Sequence, residues 1–131
     1  MDVCVVRKMK TICLSSSLRF KDAIRETMRR FGEIGITALF PNLDSGLDKE
    51  KLDMKTMKRL CQDHFQAIDD SDALYVIDPD GYIGTLVTVE IGYALGKGKP
   101  VYFSETTNAL DLDSLPEGVI PLNSIERFLS I

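Results

Sequence analysis

The run from Ser71 to Ser104, SDALYVIDPDGYIGTLVTVEIGYALGKGKPVYFS, constrains the fold more than any other part of the chain. Ala73 to Ile77 is short, apolar and rich in β-favouring residues, and Asp78-Pro79-Asp80-Gly81 closes it, as expected of a buried strand and its turn. From Thr85 to Lys97 the residues are apolar nearly all the way round, which predicts a helix covered on more than one side. Gly96, Gly98 and Pro100 stop that helix, and Val101 to Phe103 reads as the next strand. Glu90 breaks the pattern. At 100° per residue it falls on a face with Leu86 and Ala94, flanked by Val87 and Tyr93. A buried carboxylate without a partner is costly, so Glu90 needs a partner, a proton or a cavity, unless it reaches water or pairs with Lys97.

The rest of the chain repeats the alternation. Lys10 to Leu14 reads as a first strand, followed by Ser15-Ser16-Ser17 and a helix from Arg19 to Phe31 with Phe20, Ala23, Ile24, Thr27, Met28 and Phe31 on one stripe. Gly32 and Gly35 end it. Ile36 to Phe40 reads as a second strand, then a polar loop from Asn42 to Asp48. An amphipathic helix from near Lys49 to Ile68 is expected to bury Leu52, Met57, Leu60, Cys61, Phe65 and Ile68. Beyond Ser104 the pattern predicts a loop with a helical turn over Asn108 to Pro116, a short strand at Val119-Ile120 and a short helix from Ser124 to Leu129. Met1 to Lys8 fits either a loose lead or the end of an added strand. Such alternation predicts one α/β domain over residues 1–131, a three-layer Rossmann-like sandwich with a parallel sheet of about five strands in the flavodoxin-like order 2-1-3-4-5. Ligands of such sheets bind beyond the carboxyl ends of the strands where the order reverses, here between strands one and three. The candidate binding residues are therefore Ser15, Ser16, Ser17 and Arg19 on one side, and Asp78, Asp80, Gly81, Gly84 and Thr85 on the other.

Composition excludes several function classes. The net charge of −4, with no cationic block standing clear of acidic residues, argues against binding a nucleic acid polymer. No apolar run reaches the roughly 20 residues of a membrane span, and the first ten residues lack the apolar core of a signal peptide, so a cytoplasmic protein with no membrane partner is expected. Cys4, Cys13 and Cys61 show neither zinc spacing nor a redox pair and read as reduced packing residues; no metal or cofactor is expected. GYALGKGK is one residue short of a P-loop and lies at the wrong end of its helix, and no dinucleotide fingerprint follows the first strand. His64, the sole histidine, either bonds a substrate or caps a helix face. The serine run either caps the first helix or, with Arg19, forms an anion or ribose site.

The pattern DALYVIDPDG followed by VEIGYALGKGKPV resembles the nucleoside 2-deoxyribosyltransferase family, to which the 2′-deoxynucleoside 5′-phosphate N-hydrolases are similar. The resemblance spans Thr11 to Phe103, and EIGYA followed by GK is its most specific part. It implies that Glu90 is the catalytic glutamate that attacks the anomeric carbon, that Asp63 handles the nucleobase, and that Ser17-Leu18-Arg19 holds a phosphate. Gly84 stands where the transferases have an aspartate and the hydrolases a serine, and Cys13 where the transferases have a tyrosine. The resemblance also implies a homo-oligomer acting on a small nucleoside or nucleotide. The chemistry suits these residues: an ionised carboxylate stabilises or captures an oxocarbenium-like centre, and a second acid, for which Asp63, Asp78 and Asp80 are candidates, helps the base leave. Two other classes stay open, a non-catalytic nucleotide-sensing module and an interaction domain without a ligand.

Overall fold

The computed structural model describes residues 8–45 and 51–131. Cys4, most of the Met1 to Lys8 lead, and Gly46 to Glu50 of the expected loop and helix start lie outside the described residues. The elements alternate along the chain: β1 (Thr11–Ser15), α1 (Lys21–Glu33), β2 (Thr37–Leu39), α2 (Met54–Asp69), β3 (Ala73–Val76), α3 (Thr85–Gly96), β4 (Val101–Phe103), α4 (Leu110–Asp113) and β5 (Gly118–Val119), followed by 3-10 turns over Leu122–Ser130. All strand pairings are parallel, in the order β2-β1-β3-β4-β5. This is the flavodoxin-like arrangement expected from the alternation.

Side-chain alternation along the central strands divides the interior in two. Ile12 and Leu14 of β1, with Ala73, Tyr75 and Ile77 at β3, point to the face covered by α1 and the terminal 3-10 segment, where they meet Ile24, Phe31, Ile36 and Phe128. Phe31, Tyr75 and Phe128 pack edge-on or tilted at centroid separations of 5.0–5.9 Å, each fully buried. Cys13, Leu74, Val76, Val101 and Phe103 point to the opposite face, where Ala67 and Ile68 of α2 and Val87, Ile91 and Ala94 of α3 cover them. Ser15 continues the Cys13 face, so the strand register alone sends its hydroxyl toward α2 and α3. Those helices are joined to each other by the stacked rings of Phe65 and Tyr93, 4.4 Å apart, and by the Tyr93 hydroxyl donating to Asp69.

Several boundaries differ from expectation for identifiable reasons. β1 runs one residue further, to Ser15, whose carbonyl accepts from Ile77 N–H at 2.9 Å. The first α-helix begins at Lys21, because Ser17 caps a separate 3-10 turn over Leu18–Phe20. Asp53 caps α2 by accepting from Thr56 N–H at 2.7 Å, which sets that helix start at Met54 rather than near Lys49. Of the residues expected to be buried by α2, Ile68 is, whereas Leu52, Met57, Leu60, Cys61 and Phe65 are only partly covered. Ser124 to Leu129 forms 3-10 turns instead of an α-helix, and β5 begins at Gly118. The buried stripe of α3 is Val87, Ile91 and Ala94, leaving Val89 and Leu95 exposed and Glu90 on its flank; a helix apolar on all sides does not mark its own inner face. Gly98 ends that helix at φ 72°, with Lys99 N–H returning to Ala94 O and Gly98 N–H to Leu95 O.

Candidate active site

A cleft of about 530 Å³ opens beyond the carboxyl ends of β1 and β3, between the serine loop, the start of α3 and the inner side of α2. Its polar end is built from Ser16, Ser17 and Arg19 facing Gly84 and Thr85, and its apolar wall from Phe40, Leu52, Met57 and Leu60. This explains the half-covered Met57, Leu60 and Cys61 of α2, which face the cleft instead of the sheet, whereas Phe65 packs on Tyr93.

Glu90 lies at the bottom. Its side chain is 13% exposed, and Oε1 accepts from Ser15 Oγ at 2.7 Å and lies 3.1 Å from His64 Nε2. Oε2 has no hydrogen bond among the described residues. Burial pushes the Glu90 carboxyl above its ordinary value, while His64 and the Ser15 hydroxyl act in the opposite direction. A carboxylate so placed has one oxygen pinned and the other available to a ligand. The alternative of a Glu90–Lys97 pair does not occur: Lys97 lies 3.9 Å from Asp69 and above the Tyr93 ring.

The serine run divides its work. Ser15 is wholly buried on Glu90, Ser16 Oγ donates to Ile77 O at 2.7 Å and so ties the loop to the end of β3, and Ser17 Oγ accepts from Arg19 N–H at 3.3 Å. Arg19 lays its guanidinium 4.0 Å above the ring of Tyr82, which fixes the cation at the mouth of the polar end. Opposite it, Gly84 precedes the first turn of α3 with no side-chain cap, leaving the start of a twelve-residue helix facing the cleft.

Other expected site residues serve the scaffold. Asp78 is fully buried; its Oδ1 accepts from Ser104 N–H, Ser104 Oγ and Glu105 N–H at 2.8–3.1 Å, so it clamps the ends of β3 and β4 and does not line the cleft. Asp80 adopts φ 58° and donates its N–H to Glu105 Oε2, and Gly81 adopts φ 75° where a Cβ would lie 2.7 Å from Thr106 O. Both shape the turn, and neither lines the cleft. Asp63 does not line the cleft either; its Oδ2 accepts at 3.1 Å from Nδ2 of Asn42, which does. The adjacent residue faces inward instead: His64 is buried, with Nε2 2.9 Å from Leu14 O and Phe40 edge-on at 5.1 Å. A lone histidine carries no spacing pattern, so its only signal in the sequence was its place on the inner stripe of α2 with Ala67 and Ile68. Burial raises both the Cys13 and the Cys61 thiol, and the Glu90 charge adds to each, which keeps them protonated. Among the described residues no group of His, Cys, Asp and Glu is arranged to hold a metal ion, and no helix is long and apolar enough to cross a membrane.

No family model matches the chain, and no curated protein matches it. Solved structures do. A 2-deoxyribosyltransferase from the psychrotolerant bacterium Bacillus psychrosaccharolyticus superposes with a TM-score of 0.61 at 21% identity, covering 88% of this chain and 90% of its own. A conserved protein from Enterococcus faecalis V583 superposes with a TM-score of 0.60 at 19% identity, covering 91% of this chain and 98% of its own. At these identities the likeness is one of fold, and the chain has the same flavodoxin-like α/β architecture as that 2-deoxyribosyltransferase over nearly its whole length.

Proposed function

We propose that this protein is a nucleoside 2-deoxyribosyltransferase-like enzyme that cleaves the N-glycosidic bond of a (2′-deoxy)nucleoside or its 5′-monophosphate, with Glu90 as nucleophile and water or a second base as acceptor. The observation that carries the reading is the Glu90 carboxylate, held at Oε1 by Ser15 and His64 with Oε2 unbonded in the cleft. In a site of low dielectric such a group acts strongly on the positive charge that develops at C1′. The cleft volume suits a nucleotide-sized ligand. Ser17, Arg19 and the start of α3 supply donors and positive charge for a 5′-phosphate, and the apolar wall from β2 and α2 suits the flat faces of a base. A homo-oligomer belongs to the same reading.

The test is incubation of the folded protein with a panel of nucleosides and 5′-monophosphates, with and without a free acceptor base, followed by chromatography. Release of free base supports a hydrolase, and a new nucleoside supports a transferase. Neither product from any substrate overturns the proposal.

One observation favours a second reading, a nucleotide-binding module without turnover. Among the described residues Glu90 is the one carboxylate lining the cleft: the Asp63 and Asp78 carboxylates bond elsewhere, and Asp80 lies in the turn outside the cleft. Glu90→Gln separates the two: an enzyme keeps ligand affinity and loses turnover, whereas a sensor whose Glu90 bonds a ribose hydroxyl loses affinity.

A further inference from the structure

Glycosidic cleavage as proposed above needs a proton for the departing base, and the carboxylates expected to give it do not reach the cleft. Asp63 and His64 differ by one position, about 100° around α2. That rotation turns Asp63 to Asn42 and His64 to Glu90. We propose that His64 is the catalytic acid-base of this site, giving a proton from Nδ1 to the departing base and recovering one from the incoming water. The inference rests on the Glu90 reading and deepens it.

The hydrogen bonding of the ring carries the argument. Nε2 lies 2.9 Å from Leu14 O and 3.1 Å from Glu90 Oε1. A backbone carbonyl can only accept, and so can an ionised carboxylate, so Nε2 carries a hydrogen in every protonation state of the ring. Nδ1 is then the nitrogen that gains and loses a proton, and it has no hydrogen bond among the described residues. The ring lines the cleft and is held edge-on by Phe40 at 5.1 Å and 86°. Among the described residues the thiols of Cys13 on β1 and Cys61 on α2 face the His64–Glu90 pair and, raised by burial, do not compete as acids; Tyr82, which also lines the cleft, has its ring under the Arg19 guanidinium. Arg19, at the polar end, does not give up a proton.

The reaction balances with these two residues. It starts with the ring doubly protonated and Glu90 ionised. Oε2 bonds to C1′ as the C1′–N bond breaks; its electron pair goes to the base, and the Nδ1 proton follows it. The ring is left neutral with its hydrogen on Nε2. Water oxygen then bonds to C1′, the C1′–Oε2 pair returns to the carboxylate, and the proton lost by the water goes to Nδ1.

The test compares the full chain with His64→Gln on two substrates, an unmodified deoxynucleoside and 7-methyl-2′-deoxyguanosine. The second carries a cationic base that departs neutral without a proton. Gln offers an amide N–H toward Glu90 but no nitrogen that titrates. The expected result is a loss of about 10²–10⁴-fold in the first-turnover rate of base release from the unmodified substrate and a much smaller loss from the methylated one; the first turnover is read because His64 also holds Glu90 and serves the later water step for both substrates. Equal slowing on both substrates, or none on the unmodified one, overturns the role of His64. If the parent protein releases base only from the methylated substrate, His64 is overturned and Glu90 stands; if it releases none from either, both fall. A second measurement needs no variant, because the chain has a single histidine. Its ¹H–¹⁵N correlations are expected to show the neutral ring protonated at Nε2, and a neutral ring protonated at Nδ1 overturns the proposal.

Discussion

Asp78 offers the sharpest test of how the scaffold under the cleft is held. It has no exposed surface, and its Oδ2 is without a hydrogen-bond partner among the described residues, while Oδ1 takes three donors. Burial, helped by the charge of Glu105 and opposed by the Ser104 and Glu105 donors, pushes its carboxyl from 3.8 to about 6. At about 1.4 kcal/mol for each tenfold change in proton affinity, ionising it in the folded chain costs up to about 3 kcal/mol more than in the unfolded chain. A group whose folded value is raised stabilises the fold fully below its unfolded value, and that contribution is lost as pH rises through the folded value. Asp78→Asn keeps an acceptor for the three donors and removes the ionisation. The perturbation is therefore read as a difference: urea unfolding of parent and variant at about pH 3.5 and about pH 7.5. The variant is expected to gain on the parent by up to about 3 kcal/mol across that window, mostly between the unfolded and folded values. Constant packing differences cancel. A gap that holds steady within about 0.5 kcal/mol, or that moves against the variant as pH rises, refutes the assignment of Asp78 as a buried structural carboxyl.

Other consequences follow from single contacts. Arg19→Ala should weaken 5′-monophosphate binding about tenfold while leaving nucleoside affinity nearly unchanged by calorimetry; equal losses for both ligands contradict a phosphate role. Ser15→Ala removes one of the two groups holding the Glu90 carboxyl down, so the acid limb of the pH–rate profile for base release should move to higher pH, and an unmoved limb contradicts the pairing. Gly81→Ala forces a side chain onto a φ of +75° and against Thr106 O; a cost of about 1–3 kcal/mol should lower Tm by about 4–12 °C by calorimetry, and an unchanged Tm would show that the turn relaxes.

The parts of this molecule legible in the sequence are those in which local chemistry and packing agree. The strands near Thr11, Ala73 and Val101, the glycine stop after α3 and the parallel order follow from short apolar runs alternating with helical patterns. The inner face of α3 was not legible, because a helix greasy all round has no stripe to read. The α2 stripe was legible but its meaning was not: Leu52, Met57 and Leu60 look like core in one dimension and line a cleft in three. Glu90 announced itself as a carboxylate in an apolar setting. His64 did not, since a solitary imidazole on a helix carries no spacing, and the one-residue difference from Asp63 depends on how α2 is rotated over β1. Asp78 looked like a ligand because it ends a central strand, yet its carboxylate is spent on the backbone of the neighbouring strand.

The claim on which the account depends is that Glu90 bonds to the anomeric carbon. A nucleoside bearing fluorine at C2′ slows both formation and breakdown of a glycosyl ester, and with a readily departing base the ester accumulates. Rapid quenching, followed by intact-protein and peptide mass spectrometry, is predicted to find one sugar attached to the full chain, carried on Glu90 and absent in Glu90→Gln. Base release with no adduct on Glu90, or an adduct carried by another residue, would contradict it.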